Sequence, residues 1–482
     1  MRRRQPNRRA NRRQGSGLVD ELLTLGAGAA LGGIGILAAS RWIAAAAIRR
    51  ATRILMTDPY DRNLYEIVSA TSRYGVQRLL ETNLRSAEGR VIQRPFGSAK
   101  RFPDFSNLMF DAAQLHTMPT APDIPVDMRV TIGPRAARPM VIEIPVMVSA
   151  MAYGWALSEK AKISLALGTA AAGTATNTGQ GPFLESERKA AKKLIYQYHR
   201  GQWANNSGAL PRCDAVEIQL GQGAAAGLGL ALRPWEIDSQ LRQQMGLQPE
   251  EPVISNARQP EVQRPEDLGR LVGRLREQAR GVPIGVKLAA GHHLEEDLRL
   301  ALEAEVDFIT VDGAQGATKG APPIVQDDFG LPTLYALVRA VRFLERQRAL
   351  GNVSLIISGG LVTAGDFLKA IALGADAINI GTAALYAMSH TQVTHSTPWE
   401  PPTQLVWYNG KFADSFDPEE GGKALHRFLQ SISSEMGEGV RALGKVSIHE
   451  ISKEHLFALD RETAEICGVP LGYQPQAIPN QN

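Results

Sequence analysis

Sulfur chemistry has almost no footing in this sequence: 482 residues carry two cysteines, Cys213 and Cys467, far apart in the chain. Two thiols cannot build a disulfide framework. Nor can they hold an iron–sulfur cluster, which needs about three or four thiolates. They fit a reducing compartment without proving one. Aromatic residues are scarce at 6%, and the net formal charge is only +4. So small a charge excludes the whole chain as a polyanion binder, and no nucleic-acid partner is expected. Metal-ligand spacing is missing as well. His199, His292, His293, His390 and His395 fit no ligand pattern, and neighbours such as His292 and His293 tend to point apart. No metal is expected.

What is present is an ordinary globular composition, 44% apolar and 21% charged, with 46 glycines that suggest tight loops near ligands. Charge is uneven at the start. Arg2, Arg3, Arg4, Arg8, Arg9, Arg12 and Arg13 form a basic arm over residues 1–21, and no acid precedes Asp20. Residues 22–40 then run 19 positions without a charge, Arg41 interrupts, and residues 42–48 are apolar again. About 20 apolar residues span a bilayer core, so residues 22–48 read as one transmembrane or membrane-associated helix. Gly28 and Gly32 give it a small-residue face. Arg41, Arg49, Arg50 and Arg53 follow the run, so the positive-inside rule does not orient it. A single-pass membrane protein with a cytoplasmic catalytic domain is the expectation. The alternatives are a buried Gly/Ala-rich helix of a soluble domain and a cleaved targeting segment.

Residues 49–140 read as an irregular lead-in with one helical stretch near 63–82. Past residue 141 the texture changes to short apolar runs separated by helical patterns and glycine-rich breaks. Candidate strands cover residues 146–150, 170–176, 194–198, 215–220, 284–288, 308–311, 354–358 and 377–380. Near-continuous apolar runs suit strands buried on both faces. Helical patterns at 265–280, 294–305, 333–350 and 364–373 alternate with them. The fold class that follows is α/β, a (β/α)₈ TIM barrel over residues 141–397 with an N-terminal transmembrane helix. An open doubly wound sheet is the other architecture such a pattern allows. Residues 225–263 read as an excursion over the barrel mouth, and residues 398–482 as a helical C-terminal extension.

The strongest local signal lies at the ends of the last two strands. One exits through Ser358-Gly359-Gly360 and the other through Gly381-Thr382. Glycine lets backbone N–H groups approach phosphate oxygens, and barrels often hold a phosphate after strands seven and eight. Lys287 stands alone inside an apolar strand, placed to stabilise negative charge on a bound cofactor. Asp312-Gly313 opens a glycine-rich turn that reads as a ligand loop, and Asn177 after the second strand has the same character. Gln197, Gln219 and Gln222 stand at or near strand ends, as amides facing a mouth would. Cys213 precedes the fourth strand and so belongs at the base of the barrel, away from the chemistry.

Taken in order, Ala150-Met151-Ala152-Tyr153-Gly154, Asn177-Thr178-Gly179, Leu194-Ile195-Tyr196-Gln197, the run from Val216 to Ala224, Val286-Lys287-Leu288, Asp312-Gly313, Ser358-Gly359-Gly360-Leu361 and Gly381-Thr382 form a series. The series resembles the FMN-binding domain of glutamate synthase, and especially the stand-alone family named after it. Leu459-Asp460 and Gly472-Tyr473 extend the match, which covers residues 100–473. The resemblance implies FMN as cofactor. It places Met151, Gln197 and Lys287 against the flavin ring and Gly359, Gly360, Gly381 and Thr382 at its phosphate, with Ala150, Asn177, Asp312, Gly313 and Ser358 completing the cofactor site. It also implies a reductive reaction, with hydride passing from the flavin to an imine. The sequence departs from the family at Gln180 and Gln315, where Glu is usual, and at Gln219 and Ala225, where Lys is usual.

The expected function is therefore a membrane-anchored FMN-dependent oxidoreductase of glutamate-synthase type acting on an imino or keto acid-like substrate. Lys287, Gln219 and Gln222 are its catalytic candidates. The expected partners are that small molecule, an external electron donor and the membrane; a homo-oligomer is allowed. A flavoprotein subunit that serves membrane assembly without turnover is the second reading. A barrel of the inosine-monophosphate-dehydrogenase type shares the phosphate glycines, but it needs a catalytic cysteine in a mouth loop.

Overall fold

The computed structural model describes residues 39–63, 65–201 and 208–475. The basic arm and residues 22–38 of the expected membrane helix lie outside them. The chain divides into two units, residues 1–92 and 93–482. In the first, residues 39–57 are helical. Two further helices, Glu66–Tyr74 and Val76–Glu88, contain no buried residue. The lead-in therefore holds more helix than the single stretch its composition suggested. Among the described residues no helix is long and apolar enough to cross a membrane. The described part of the 22–48 span continues into Arg49, Arg50 and Arg53, whose charges break the apolar run.

The second unit is built on eight parallel strands: β1 Val146–Val148, β2 Ala175–Asn177, β3 Lys193–Tyr198, β4 Ala215–Gln219, β5 Ile284–Ala289, β6 Phe308–Asp312, β7 Ser354–Ser358 and β8 Ala377–Ile380. They pair in the order β1-β8-β7-β6-β5-β4-β3-β2. This is a nearly closed (β/α)₈ barrel. Nearly every strand residue is buried, which is why the strands read as unbroken apolar runs. The β1–β2 seam carries no ladder. It is bridged instead by side chains, beginning with the Thr174 hydroxyl, which donates to the Val146 carbonyl at 2.7 Å.

One strand expectation fails. Residues 170–171 end a helix, α1 Glu159–Ala171, and the strand starts only at Ala175. Ser158 caps α1 by accepting from the Ala161 N–H, and alanine favours helix, so the apolar Gly/Ala run winds up instead of extending. The small residues serve packing. A Cβ on Gly168 would stand 2.8 Å from the Leu425 side chain, so α1 and the long helix Pro418–Ala442 approach closely. That long helix lies beyond residue 397 yet packs on the barrel wall, so the segment drawn as an extension supplies part of the barrel.

Three antiparallel pairs finish the unit. Val130–Ile132 with Met140–Ile142 lies at the base, where the Gly133 N–H donates to Ser354 Oγ at 3.1 Å. Leu108–Phe110 pairs with Leu456–Ala458. The excursion after β4 forms a hairpin, Leu230–Leu232 with Val253–Ser255, enclosing the helix Ser239–Met245. Its Ile237, Leu241, Met245 and Val253 form a small core with Tyr153 and Leu184, which follow β1 and β2. The excursion is thus seated over the mouth, as expected.

Candidate active site

Parallel register decides what the mouth presents. Lys287 on β5 pairs with Gln219 on β4 and Thr310 on β6; Asp312 pairs with Ser358, and Ser358 with Asn379. The C-terminal strand ends therefore bring polar side chains together above an apolar barrel.

They border one cavity that opens to solvent. Both glycine exits line it, through Ser358, Gly359, Gly360, Gly381 and Thr382, as do Ala150, Met151, Gln197, Gln222, Lys287 and Asp312. Three expected residues do not. Asn177 turns to Glu217, donating from Nδ2 at 3.0 Å, and takes the Gly179 N–H on its Oδ1. Gly313 sits behind the wall, where a Cβ would strike Thr333. Gln219 is buried beneath the surface, donating from Nε2 to Gln180 Oε1 at 3.0 Å and Gln222 Oε1 at 3.1 Å.

Lys287 is 2% exposed and Asp312 5%, with Nζ and Oδ2 3.4 Å apart. Lys287 also reaches Ser149 Oγ at 3.3 Å. Burial is the largest influence on the ammonium and would lower its pKa. The nearby carboxylates of Asp312 and Glu217 outweigh it, so the net shift is upward and Lys287 stays charged. Asp312 Oδ2 also accepts the Gly223 N–H at 2.9 Å, which ties the β4 exit to the β6 exit.

Sequence reasoning missed Glu217, a buried hydrogen-bonding centre behind the cavity wall. Its Oε1 accepts from Asn177 and from Gln197 Nε2 at 2.9 Å, and its Oε2 accepts from Thr310 Oγ1 at 2.8 Å. A carboxylate inside the apolar run of β4 was the available signal, because a buried acid needs partners. Lys319 was missed too, since it stands in a loop with no pattern. It lines the cavity with its Nζ 4.4 Å from the centre of the Trp407 ring.

Lys162 was the third omission. It is buried in α1 and donates to the Met151 carbonyl at 2.8 Å and the Asn177 carbonyl at 2.7 Å, across the seam that the strands leave open. Its ammonium stands 2.9 Å from Glu187, also buried, as an ion pair without aligned hydrogen-bond geometry. Burial pushes Lys162 down and Glu187 up, and each charge opposes the other's neutralisation. Cys213 lies buried at the base of β4, where burial raises its thiol to about 12 and leaves it protonated.

Residues 99–445 match the family described as the conserved region in glutamate synthase. The chain belongs to the glutamate synthase family. It is 32% identical over 416 residues to a glutamate synthase large subunit-like protein of Rhizobium meliloti, covering 82% of this chain and 93% of that one. It is 31% identical over 415 residues to an archaeal-type glutamate synthase [NADPH] of Dehalococcoides mccartyi, covering 81% and 83%. The fold is shared more widely: a doubly substituted flavocytochrome b2 with sulfite bound superposes with a TM-score of 0.50 at 15% identity, covering 89% of this chain and 94% of that one. A member of the glutamate synthase family is an FMN-dependent oxidoreductase.

The cavity fits FMN. The helix α2 Ala364–Ala372, which follows the β7 exit, is closed by its own capping box between Thr363 and Asp366. The helix α3 Thr382–Ser389, which follows the β8 exit, has no side-chain cap, so its first-turn N–H groups are left for an anion. Gly381 lines the cavity, and a Cβ there would meet no protein atom within 4 Å, leaving open space beside those donors. Asn379 Oδ1 and Asp312 Oδ1 are buried without a hydrogen-bond partner. A ligand with both phosphate and polar ring edges answers these needs.

Proposed function

We propose that this chain reduces an imino or keto acid-like substrate. Bound FMN would supply the hydride. The observation that carries the reading is convergence: both glycine exits, the uncapped α3 terminus and the Lys287–Asp312 pair line the same cavity.

Gly359, Gly360, Gly381 and Thr382 would hold the phosphate. Ala150, Met151, Gln197, Asp312 and Ser358 would border the remainder. Lys287 holds a fixed positive charge at the cavity wall and would stabilise negative charge on the reduced cofactor without reorganisation. Gln222 would orient the substrate directly. Gln219 would act on it from behind, by fixing the amides of Gln180 and Gln222. Asn177 and Gly313 would support the site, the first through Glu217 and the second by letting Thr333 approach. Reducing equivalents would come from an external donor, because two buried cysteines offer no cluster ligands.

Purified protein should carry a flavin spectrum, and its photoreduced flavin should be reoxidised by a member of a keto acid panel supplied with ammonia. Protein that purifies with flavin but is reoxidised by no keto or imino acid overturns the reading. Gly381→Ala tests the phosphate assignment. No protein atom opposes the new Cβ and the backbone there has a negative φ, so unfolding should be unchanged. FMN affinity should fall roughly tenfold, because the methyl group blocks close approach to the phosphate. Equal FMN affinity in the variant would move the phosphate elsewhere.

Membrane attachment through residues 22–48 is a separate proposal, supported by the 19 uncharged residues of 22–40. Full-length protein should sediment with membranes, and a form lacking residues 1–57 should not. Recovery of the full chain in the soluble fraction without detergent would overturn it.

A further inference from the structure

The charged residues lining the cavity are Lys287, Asp312 and Lys319. Lys287 and Asp312 offset each other's charge as an ion pair. Lys319 has no carboxylate partner among the described residues: its Nζ lies over the Trp407 ring and donates to Asn409 Oδ1 at 3.1 Å. A partly buried ammonium held by a ring and one amide still has bonding capacity to offer, since it carries three N–H donors.

What stands near it is neutral. The Thr318 hydroxyl donates to the Gly223 carbonyl at 2.8 Å, so Lys319 follows directly on a contact with the β4 exit. Gly223 follows Gln222, whose Oε1 takes the Gln219 amide at 3.1 Å, and Gln219 also donates to Gln180. Gln219 Oε1 is buried with no partner. Gln180 and Gln222 line the cavity, and Gln219 is in register with Lys287 on the next strand. The cavity is thus lined by one cation without a carboxylate partner among the described residues and by a patch of amides.

We propose that Lys319 and the Gln180–Gln219–Gln222 cluster form the substrate-recognition subsite and select a monoanionic 2-imino or 2-oxo acid, its carboxylate on Lys319 and its uncharged polar end on the amides. The assignment rests on the oxidoreductase reading above. A carboxylate on Lys319 gains a charge-assisted hydrogen bond to an ammonium that burial already disfavours. An amide or hydroxyl at the far end can both donate and accept against the glutamines. A second carboxylate there would be desolvated without a cation, so a dicarboxylate gains nothing from its extra charge.

Burial lowers the Lys319 pKa to about 8, and no charged neighbour contributes to that shift. Recognition should therefore weaken as pH rises through about 8, where the ammonium is lost.

The test uses FMN-loaded protein and four unreactive probes followed by calorimetry: glutaramate, butyrate, glutarate and butyramide. Glutaramate should bind best, glutarate no tighter than glutaramate, and butyramide weakest. Lys319→Met should weaken glutaramate roughly tenfold or more, and Lys319→Arg should retain binding and abolish its loss above pH 8. Gln222→Leu should weaken glutaramate while leaving butyrate unchanged. Undiminished glutaramate binding in Lys319→Met, tighter binding of glutarate, pH-independent binding in the unmodified chain, or no binding of any probe overturns the proposal. Since the probes do not react, failure here is distinct from failure of the redox reading, which is judged by flavin reoxidation.

Discussion

Replacing Lys287 with Met is expected to slow reduction of bound FMN by on the order of a hundredfold and to make its midpoint potential more negative. The ammonium is buried, charged and fixed between Asp312 and Ser149, so its field acts with little screening by water. Destabilisation alone could also lower activity, because the variant leaves the Asp312 carboxylate unpaired. The companion variant Asp312→Asn separates the two causes. It keeps an acceptor for the Gly223 N–H but removes the charge that offsets Lys287, so the potential should shift the opposite way, more positive. Stopped-flow reduction and spectroelectrochemistry measure both. Shifts in the same direction for the two variants would remove Lys287 from charge stabilisation. The pH dependence has a defined sign. The folded pKa of Lys287 lies above its ordinary value of 10.5, so its contribution is complete below that value and is lost only as pH rises through the folded one. The deficit of Lys287→Met should therefore be constant from about pH 6 to about pH 10.

Lys162→Met is expected to cost about 3–5 kcal/mol of stability, the usual consequence of removing one partner of a buried ion pair. The loss has two sources. Glu187 is left buried opposite an apolar side chain, and the carbonyls of Met151 and Asn177 lose the donor that joins them across the β1–β2 seam. Since Met151 borders the cavity, FMN retention should fall with stability. Urea unfolding followed by tryptophan fluorescence gives the first quantity and equilibrium dialysis the second. Adding Glu187→Leu should restore much of the stability, because two apolar residues need no mutual charge, but it should not restore FMN retention, because the carbonyls remain unpaired. A single variant as stable as the unmodified chain would show that strand pairing elsewhere holds the seam unaided.

Much of the barrel is legible in the sequence. Strands buried on both faces leave unbroken apolar runs, and seven of the eight stood close to where they were read. The exception, residues 170–176, shows the limit of that signal. A Gly/Ala-rich run looks the same in a buried strand and in a buried helix, and only the Ser158 cap and the neighbouring helix settled the choice. The long helix Pro418–Ala442 was read as helix but not as part of the barrel wall, because position in the chain carries no information about which surface a helix covers.

The sequence by itself determined the eight-strand alternation, the two glycine exits and the isolated lysine of β5, since each is a property of neighbouring residues. Only the tertiary structure decided that Asn177 and Gln219 stand behind the cavity wall, that Glu217 gathers three donors beneath the mouth, that Lys162 joins an unpaired seam and that Lys319 lines the cavity with no carboxylate beside it. Those partnerships join residues up to 93 positions apart, as between Thr310 and Glu217. They depend on parallel register and loop contacts, which no local pattern encodes.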